Sequence, residues 1–357
     1  MDNKAGAEAV VAGHACLDII PRMPLDEAYQ PGALIEIGPA TISTGGAVSN
    51  TGLALQRLGA RTRLVCGVGR DPFGELVRDR LFQQGADVRL VETPHAATSY
   101  SVVLSPAGAD RCFLHCPGAN DEFSPEMIAD DAFRDASVLH FGYPPVMRRT
   151  YEDGGAALAG LFRRAQSAGL VTSLDMCGIS PGGPASRCDW PAFFRRVLPH
   201  VDCFTPSHDE LMQMLGRPAT ATQSLAALSR LANEVLGFGP AVVLIKLGDD
   251  GLFAGLSADA ARFSRVGEPF AQQAGRSLYE PCYRVPVVGT TGAGDATIAG
   301  FLLALLRGQS ADDAMRTATA VGACSVESVD ATSGVPDLRT VSERIRAGWE
   351  KLPSRLA

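Results

Sequence analysis

Val287-Val288-Gly289-Thr290-Thr291-Gly292-Ala293-Gly294-Asp295-Ala296-Thr297 decides the reading of this chain. A β-branched, strand-like lead enters a glycine-rich turn, and an apolar helix is expected over 296–306. Gly292 and Gly294 let backbone N–H groups converge at a helix N-terminus, where the dipole favours an anion. Small side chains allow a phosphate to approach closely. Asp295 falls in the first helical turn, beside that anion site. A carboxylate there can accept the proton of an attacking hydroxyl while the amides stabilise charge on a transferring phosphoryl group. A glycine turn with Asp295 as a helix cap would carry the same residues. No Gly-Lys-Ser/Thr follows, so this is not a Walker P-loop.

Outward from that stretch, the chain alternates strand and helix patterns. Ala9 to Asp18 reads as a first strand ending near Asp18. Leu34 to Thr44 reads as extended, and Gly45-Gly46 leads into a helix from Val48 to Leu58 that stops at Gly59. Arg63 to Val68 reads as a strand and Phe73 to Gln84 as a helix. Ser99 to Leu104 and Arg111 to Leu114 alternate around Pro106-Ala107-Gly108, a hairpin signal. After Asn120 the expected strands are 137–141, 171–175, 203–204 and 241–247. The expected helices are 156–168, 190–198, 209–215 and 225–236. Arg262 to Arg284 reads as a hairpin or an excursion. Regular alternation predicts an α/β fold whose mostly parallel sheet is covered by helices on both faces.

Composition narrows the function classes. The 357 residues are 46 % hydrophobic and 20 % charged, with a net charge of -7. Such a chain buries a sizeable core, and its acidic balance argues against nucleic acid or an anionic membrane as partner. No apolar run reaches membrane-spanning length, and the N-terminus lacks the basic and apolar pattern of a secretory signal. Nine cysteines without a C-x-x-C pair read as reduced thiols of a cytoplasmic protein.

Gly289 to Asp295 resembles the C-terminal signature of the ribokinase-like (PfkB) carbohydrate kinases, usually Asp-Thr-Thr-Gly-Ala-Gly-Asp. The resemblance continues in order along almost the whole chain. Asp18 resembles the family's sugar-hydroxyl-binding Asp, and Gly45-Gly46 with Asn50 its N-terminal glycine pair and Asn. Gly67-Val68-Gly69 and Asp71-Pro72-Phe73-Gly74 resemble a second element. Ser207 to Glu210 falls where the family carries Asn-x-x-Glu, and Lys246-Leu247-Gly248 with Gly251 resembles its nucleotide-binding strand and turn.

The resemblance implies a three-layer ribokinase-like fold over residues 1–340, followed by a C-terminal helix or tail over 341–357. A small β lid, from about 15–45 and 97–118, would close over the sugar. It implies ATP-dependent phosphorylation of a hydroxyl on a small sugar-like molecule. Asp295 would be the base, and the amides of Gly292, Ala293 and Gly294 the anion hole. Mg²⁺ would bridge the phosphates, largely through water, with Glu210 nearby. Asp18, Gly45, Gly46, Asn50 and Arg111 would face the acceptor. Lys246, Gly248, Gly251, Thr291, Gly292, Gly294 and Cys324 would face ATP. Homodimerisation through the lid is a further implication.

Departures qualify this. Gly289 replaces an Asp associated with monovalent-cation binding, which puts K⁺ activation in doubt. Ser207 replaces Asn, Cys16 stands where sugar sites often carry Asn, and Ala47 where some members have Lys. Each site residue also has a plainer role: Asn50 or Glu210 as helix-terminus residues, Arg111 as a solvated surface charge, Cys324 as core. His14, His115 and His140 read as structural. A nucleoside kinase, with Phe113 or Tyr143 against the base, and a catalytically weak sensor on this fold are the competing functions.

Overall fold

The computed structural model describes residues 6–22, 32, 34–104, 112–218 and 224–356. Arg111 and the expected turn at Pro106-Ala107-Gly108 lie outside the described residues.

Strands β1 (Ala9–Gly13), β2 (Cys16–Pro21), β3 (Ala40–Gly45), β4 (Thr62–Gly69) and β5 (Asp87–Thr93) come first, with helices α1 (Ala47–Arg57) and α2 (Pro72–Gln83) after β3 and β4. Strands β6 (Tyr100–Leu104) and β7 (Cys112–Cys116) and the short α3 (Ala119–Glu122) follow. Next come β8 (Val138–Gly142), α4 (Ala156–Ser167), β9 (Val171–Asp175), α5 (Trp190–Val197), β10 (Cys203–Phe204), α6 (His208–Met214) and α7 (Leu225–Leu236). The C-terminal part holds β11 (Val242–Lys246), β12 (Leu252–Leu256), α8 (Glu268–Ala271), β13 (Ser277–Glu280), α9 (Ala293–Leu306), α10 (Ala311–Ser325) and α11 (Leu338–Arg346).

A nine-stranded sheet runs β13-β12-β11-β10-β9-β8-β1-β4-β5, and a four-stranded sheet runs β3-β2-β6-β7. The large sheet is parallel from β11 to β5, and its β12 and β13 edge is antiparallel. Strands β1, β4, β8 and β9 are buried along their whole length, as apolar runs covered on both faces must be. One core layer packs α1, α2, α9 and α10 against the sheet, and the other packs α4 to α7. Helix α9 is buried on nearly every side, lying against α1 and α10.

The expected first strand is in fact two. Gly13 adopts φ 121°, and the chain leaves the large sheet there to re-enter the small one at Cys16. The extended reading of 34–44 shortens to β3, and Leu34 is 95 % exposed. The 262–284 excursion resolves into short helical turns and β13, while β12 was not read from the sequence at all. The C-terminal helix opens at Leu338, ahead of the expected boundary.

Chain order positions the site. From β1 the chain builds outward to β4 and β5, then returns to lay β8 on the other flank of β1. Such a reversal opens a crevice at the carboxyl ends of the two strands. His14 and Tyr143 are the residues that follow those ends.

Candidate active site

Helix α9 starts at Ala293, three residues before the sequence suggested, with Gly292 as N-cap at φ 73°. A non-glycine residue would be strained there. The expected strand-like lead is irregular: the amides of Val288 and Gly289 both donate to the Val326 carbonyl, outside any ladder. A Cβ on Gly289 would lie 2.8 Å from the carbonyl oxygens of Ser328 and Val329, so the backbone leaves no room for the usual Asp.

The mouth of α9 is open, with Gly292, Ala293 and Gly294 half-buried. The Ala293 amide donates to Thr290 O at 3.3 Å. The amides of Gly292, Gly294 and Asp295 take no acceptor among the described residues. The free donors therefore keep Gly292 N and Gly294 N of the expected set, with Asp295 N in place of the engaged Ala293 N.

Asp295 is 3 % exposed and sits in a polar cage. Its Oδ2 accepts from Asn50 Nδ2 at 3.0 Å and from the Tyr143 hydroxyl at 2.8 Å, and its Oδ1 accepts from Thr51 Oγ1 at 3.1 Å. Asn50 is thus an interior residue of α1 that holds the carboxylate, not a helix cap. Burial, then the charges of Asp295 and Asp175, raise the Tyr143 phenol well above its usual range, which keeps it a donor. Tyr143 holds this position with φ 68°, the left-handed region that a Tyr seldom adopts. A carboxylate offers about four lone-pair positions, so one on Oδ1 remains open.

On the side expected to face the acceptor, β2 and β3 bring Asp18 beside Gly45. A Cβ at Gly45 would lie 2.2 Å from Asp18 Oδ2, so only glycine lets the carboxylate pass. At Gly46, φ is 87°, and a Cβ would meet His14 Nδ1 at 2.3 Å. Asp18 accepts from the Cys16 thiol at 3.4 Å, and burial pushes its carboxyl up to about 6 against the opposing bonds of Cys16 and Ser101. Ser101 Oγ pairs with His115 Nδ1 at 3.0 Å, and the His115 and His14 rings lie 5.1 Å apart. Burial, then His115, lowers His14 well below the usual imidazole range; burial also lowers His115. His140, by contrast, bonds Ser173 within the large sheet at 2.9 Å.

On the side expected to face the nucleotide, Lys246 ends β11 with its ammonium on Asp175 Oδ1 at 2.7 Å. Gly248 opens a tight turn. Gly251 adopts φ 101°, and a Cβ there would meet the Glu280 carbonyl oxygen at 2.2 Å, so both the turn and the packing of β13 require glycine. Glu210 forms a capping box with Ser207: its Oε2 accepts from Ser207 N at 2.7 Å, and Ser207 Oγ accepts from Glu210 N at 3.3 Å. Ser therefore replaces Asn as a competent cap, an arrangement worth about 1 kcal/mol. Thr291 is half-buried at the mouth. Cys324 is fully buried, its sulfur accepting from Arg344 at 3.3 Å.

The arrangement is thus an open helix mouth, a caged carboxylate and a polar pocket under a small sheet. Comparison with known proteins agrees with that order. The profile of the pfkB family carbohydrate kinases matches residues 7–338. The chain belongs to the pfkB family of carbohydrate kinases. It is a phosphotransferase with an alcohol group as acceptor and binds ATP. A ribokinase of Arabidopsis thaliana is 25 % identical over 94 % of this chain and 80 % of its own. A nucleoside kinase of Methanothermobacter thermautotrophicus is 25 % identical over 96 % of both. The Arabidopsis ribokinase solved with ribose and ATP superposes with a TM-score of 0.74 at 22 % identity, covering 94 % of this chain and 98 % of that one. The fold is thus the ribokinase-like α/β fold, with a separate small sheet.

Thr51, Tyr143 and Asp175 join the candidate site although the sequence does not point to them as catalytic; it offers Tyr143 only as a wall for a nucleobase. The one available signal was position: Tyr143 and Asp175 stand at or just past carboxyl ends of parallel strands.

Proposed function

We propose that this pfkB-family kinase transfers the terminal phosphoryl group of ATP to a hydroxyl of a small sugar or sugar-like molecule, with Asp295 as general base. The observation that carries the reading is a single carboxylate, caged by Asn50, Thr51 and Tyr143, one residue inside a helix mouth with unpaired amides. The acceptor hydroxyl takes the free lone-pair position on Oδ1 or displaces one of the three donors. As its oxygen bonds to phosphorus and the bond to ADP breaks, its proton passes to Asp295. The amides of Gly294 and Asp295, with the helix dipole, stabilise the phosphoryl oxygens. Asp18 and Gly45-Gly46 shape the acceptor side, and Lys246 and the turn from Gly248 the nucleotide side. Closure of the small sheet excludes water, limiting ATP hydrolysis.

The residues fit Mg²⁺ carried on phosphates better than a metal held by protein. Among the described residues no group of three His, Cys, Asp or Glu could hold an ion. Glu210 commits one oxygen to its cap and keeps the other for a bridging water. Bound Mg²⁺ would neutralise phosphate charge. With glycine at 289 in place of a carboxylate, we expect no strong K⁺ requirement.

The test is acceptor-dependent ADP release with ATP and Mg²⁺ against neutral pentoses and hexoses, sugar acids, sugar phosphates and nucleosides. Turnover with a sugar supports the reading; binding of these molecules without acceptor-dependent ADP release would leave a sensor. A nucleoside acceptor is the second reading. It draws on the His14 ring, which lies 5.1 Å from that of His115 and 5.9 Å from that of Tyr143, and turnover confined to nucleosides would favour it.

A further inference from the structure

Lys246 and Asp175 form a buried ion pair whose surroundings do not look like those of a purely structural pair. Lys246 ends β11 and Asp175 ends β9, so the pair spans β10 at the carboxyl edge of the large sheet. Their side chains are 12 % and 1 % exposed. Taking both charges out of water is costly, and a pair serving only the core gains most when every polar atom is satisfied. Here Asp175 Oδ2 is buried without a partner. An ammonium has three donors, and Asp175 is the one side-chain acceptor Lys246 uses among the described residues. Its remaining surroundings include the mouth of α9: a Cβ on Gly294 would lie 3.6 Å from Nζ and 3.5 Å from Cδ. Burial works to lower the affinity of Lys246 for its proton, but the charges of Asp175, Glu210 and Asp295 outweigh it and raise the ammonium above its ordinary range. A fixed cation therefore stands beside unpaired amides of a helix N-terminus.

We propose that Lys246 is a catalytic residue whose ammonium contacts the transferring phosphoryl group at Gly294, and that Asp175 is the positioning residue that holds it there. This rests on the kinase reading and extends it to the charge balance of the transfer. In the reaction, the acceptor oxygen–phosphorus bond forms, the bond to the ADP oxygen breaks, and the acceptor proton goes to Asp295. Lys246 gives up no proton; it offsets negative charge on the phosphoryl oxygens and the leaving ADP.

The test compares K246M, D175L and the double variant K246M/D175L by thermal melting and by kcat and KM for ATP. Removing one partner of a buried pair destabilises, whereas replacing both by apolar residues of similar size restores much of the stability. The expected result is a double variant that melts near the wild type, binds ATP within about fivefold, yet has a kcat about a hundredfold lower. Because both contacts act through one group, the double variant should be no slower than K246M. A double variant within about threefold of wild-type kcat would overturn the proposal and leave a structural pair. Should the double variant not melt cooperatively, K246A is read with and without n-butylammonium: partial recovery of kcat supports the proposal, and none at saturating amine overturns it. Wild-type protein lacking acceptor-dependent ADP release would instead sink the kinase reading itself, which separates the two failures.

Discussion

The two sides of Asp295 are built differently. The phosphate side is backbone and fixed charge: the mouth of α9, the Lys246–Asp175 pair and the capping box of α6. The side proposed for the acceptor is under-bonded, with His14 Nδ1 and Nε2, His115 Nε2 and Asn50 Oδ1 all buried without partners among the described residues. A buried polar atom left unpaired costs about 1–3 kcal/mol, so these groups are stabilised by a ligand that brings hydroxyls to them. One side presents unpaired amides and a cation to an anion; the other presents unpaired imidazole and amide atoms to hydroxyls. That contrast explains why a family signature can name the reaction without naming the acceptor.

Asp295 is where the two sides meet, so its loss should break the comparison most sharply. D295N is expected to lower turnover about a hundredfold or more with ATP affinity nearly unchanged, read by ADP release and by calorimetric titration of ATP. Near-normal turnover would remove Asp295 from the chemistry. A smaller effect is expected from Y143F, which deletes one of the three donors to the carboxylate. Turnover should fall about tenfold while the melting temperature moves by a few degrees, since the ring stays packed. An unchanged kcat would mean that Asn50 and Thr51 alone orient the base.

The smallest effect sharpens the acceptor side. Burial raises Asp18 to about 6, above the ordinary carboxylate near 4 in the unfolded chain. Between those values the folded state binds the extra proton. This contribution to stability therefore grows as pH falls from above 6 to about 4, and at pH 7 the buried charge is a cost. D18N should melt slightly higher than wild type at pH 7 and lose that dependence. Acceptor KM in the wild type should rise severalfold as pH drops through 6, where the ionised carboxylate is lost, while KM for ATP stays level. Parallel pH profiles for both substrates would argue against Asp18 as an acceptor ligand.

How far the sequence could be read follows the same division. Elements with strong local patterning were legible: β9 and α7 match their expected spans, and α1, α4 and α5 differ at their ends by about a residue. The α/β class and the glycine mouth followed from the same signals. The split of the first strand was hidden because Gly13 and His14 interrupt the apolar run without a turn signal, and the switch of sheets is dictated by pairing with β8 and β6. Strand β12 was missed between glycines; it is defined by antiparallel partners on both sides. The cage around Asp295 was beyond local reading. Thr51 and Tyr143 reach it from 244 and 152 residues away, and Asp175 meets Lys246 across 71. Arg111, read as an acceptor contact, falls outside the described residues, and that assignment stays a proposal.

The most direct measurement is a diffraction structure with a non-hydrolysable ATP analogue and the best acceptor from the panel. The account predicts the terminal phosphate against the amides of Gly294 and Asp295, and one acceptor hydroxyl within hydrogen-bond distance of the Asp295 carboxylate. A terminal phosphate bound away from the start of α9, or an acceptor whose hydroxyls all leave Asp295 in its present cage, would contradict it.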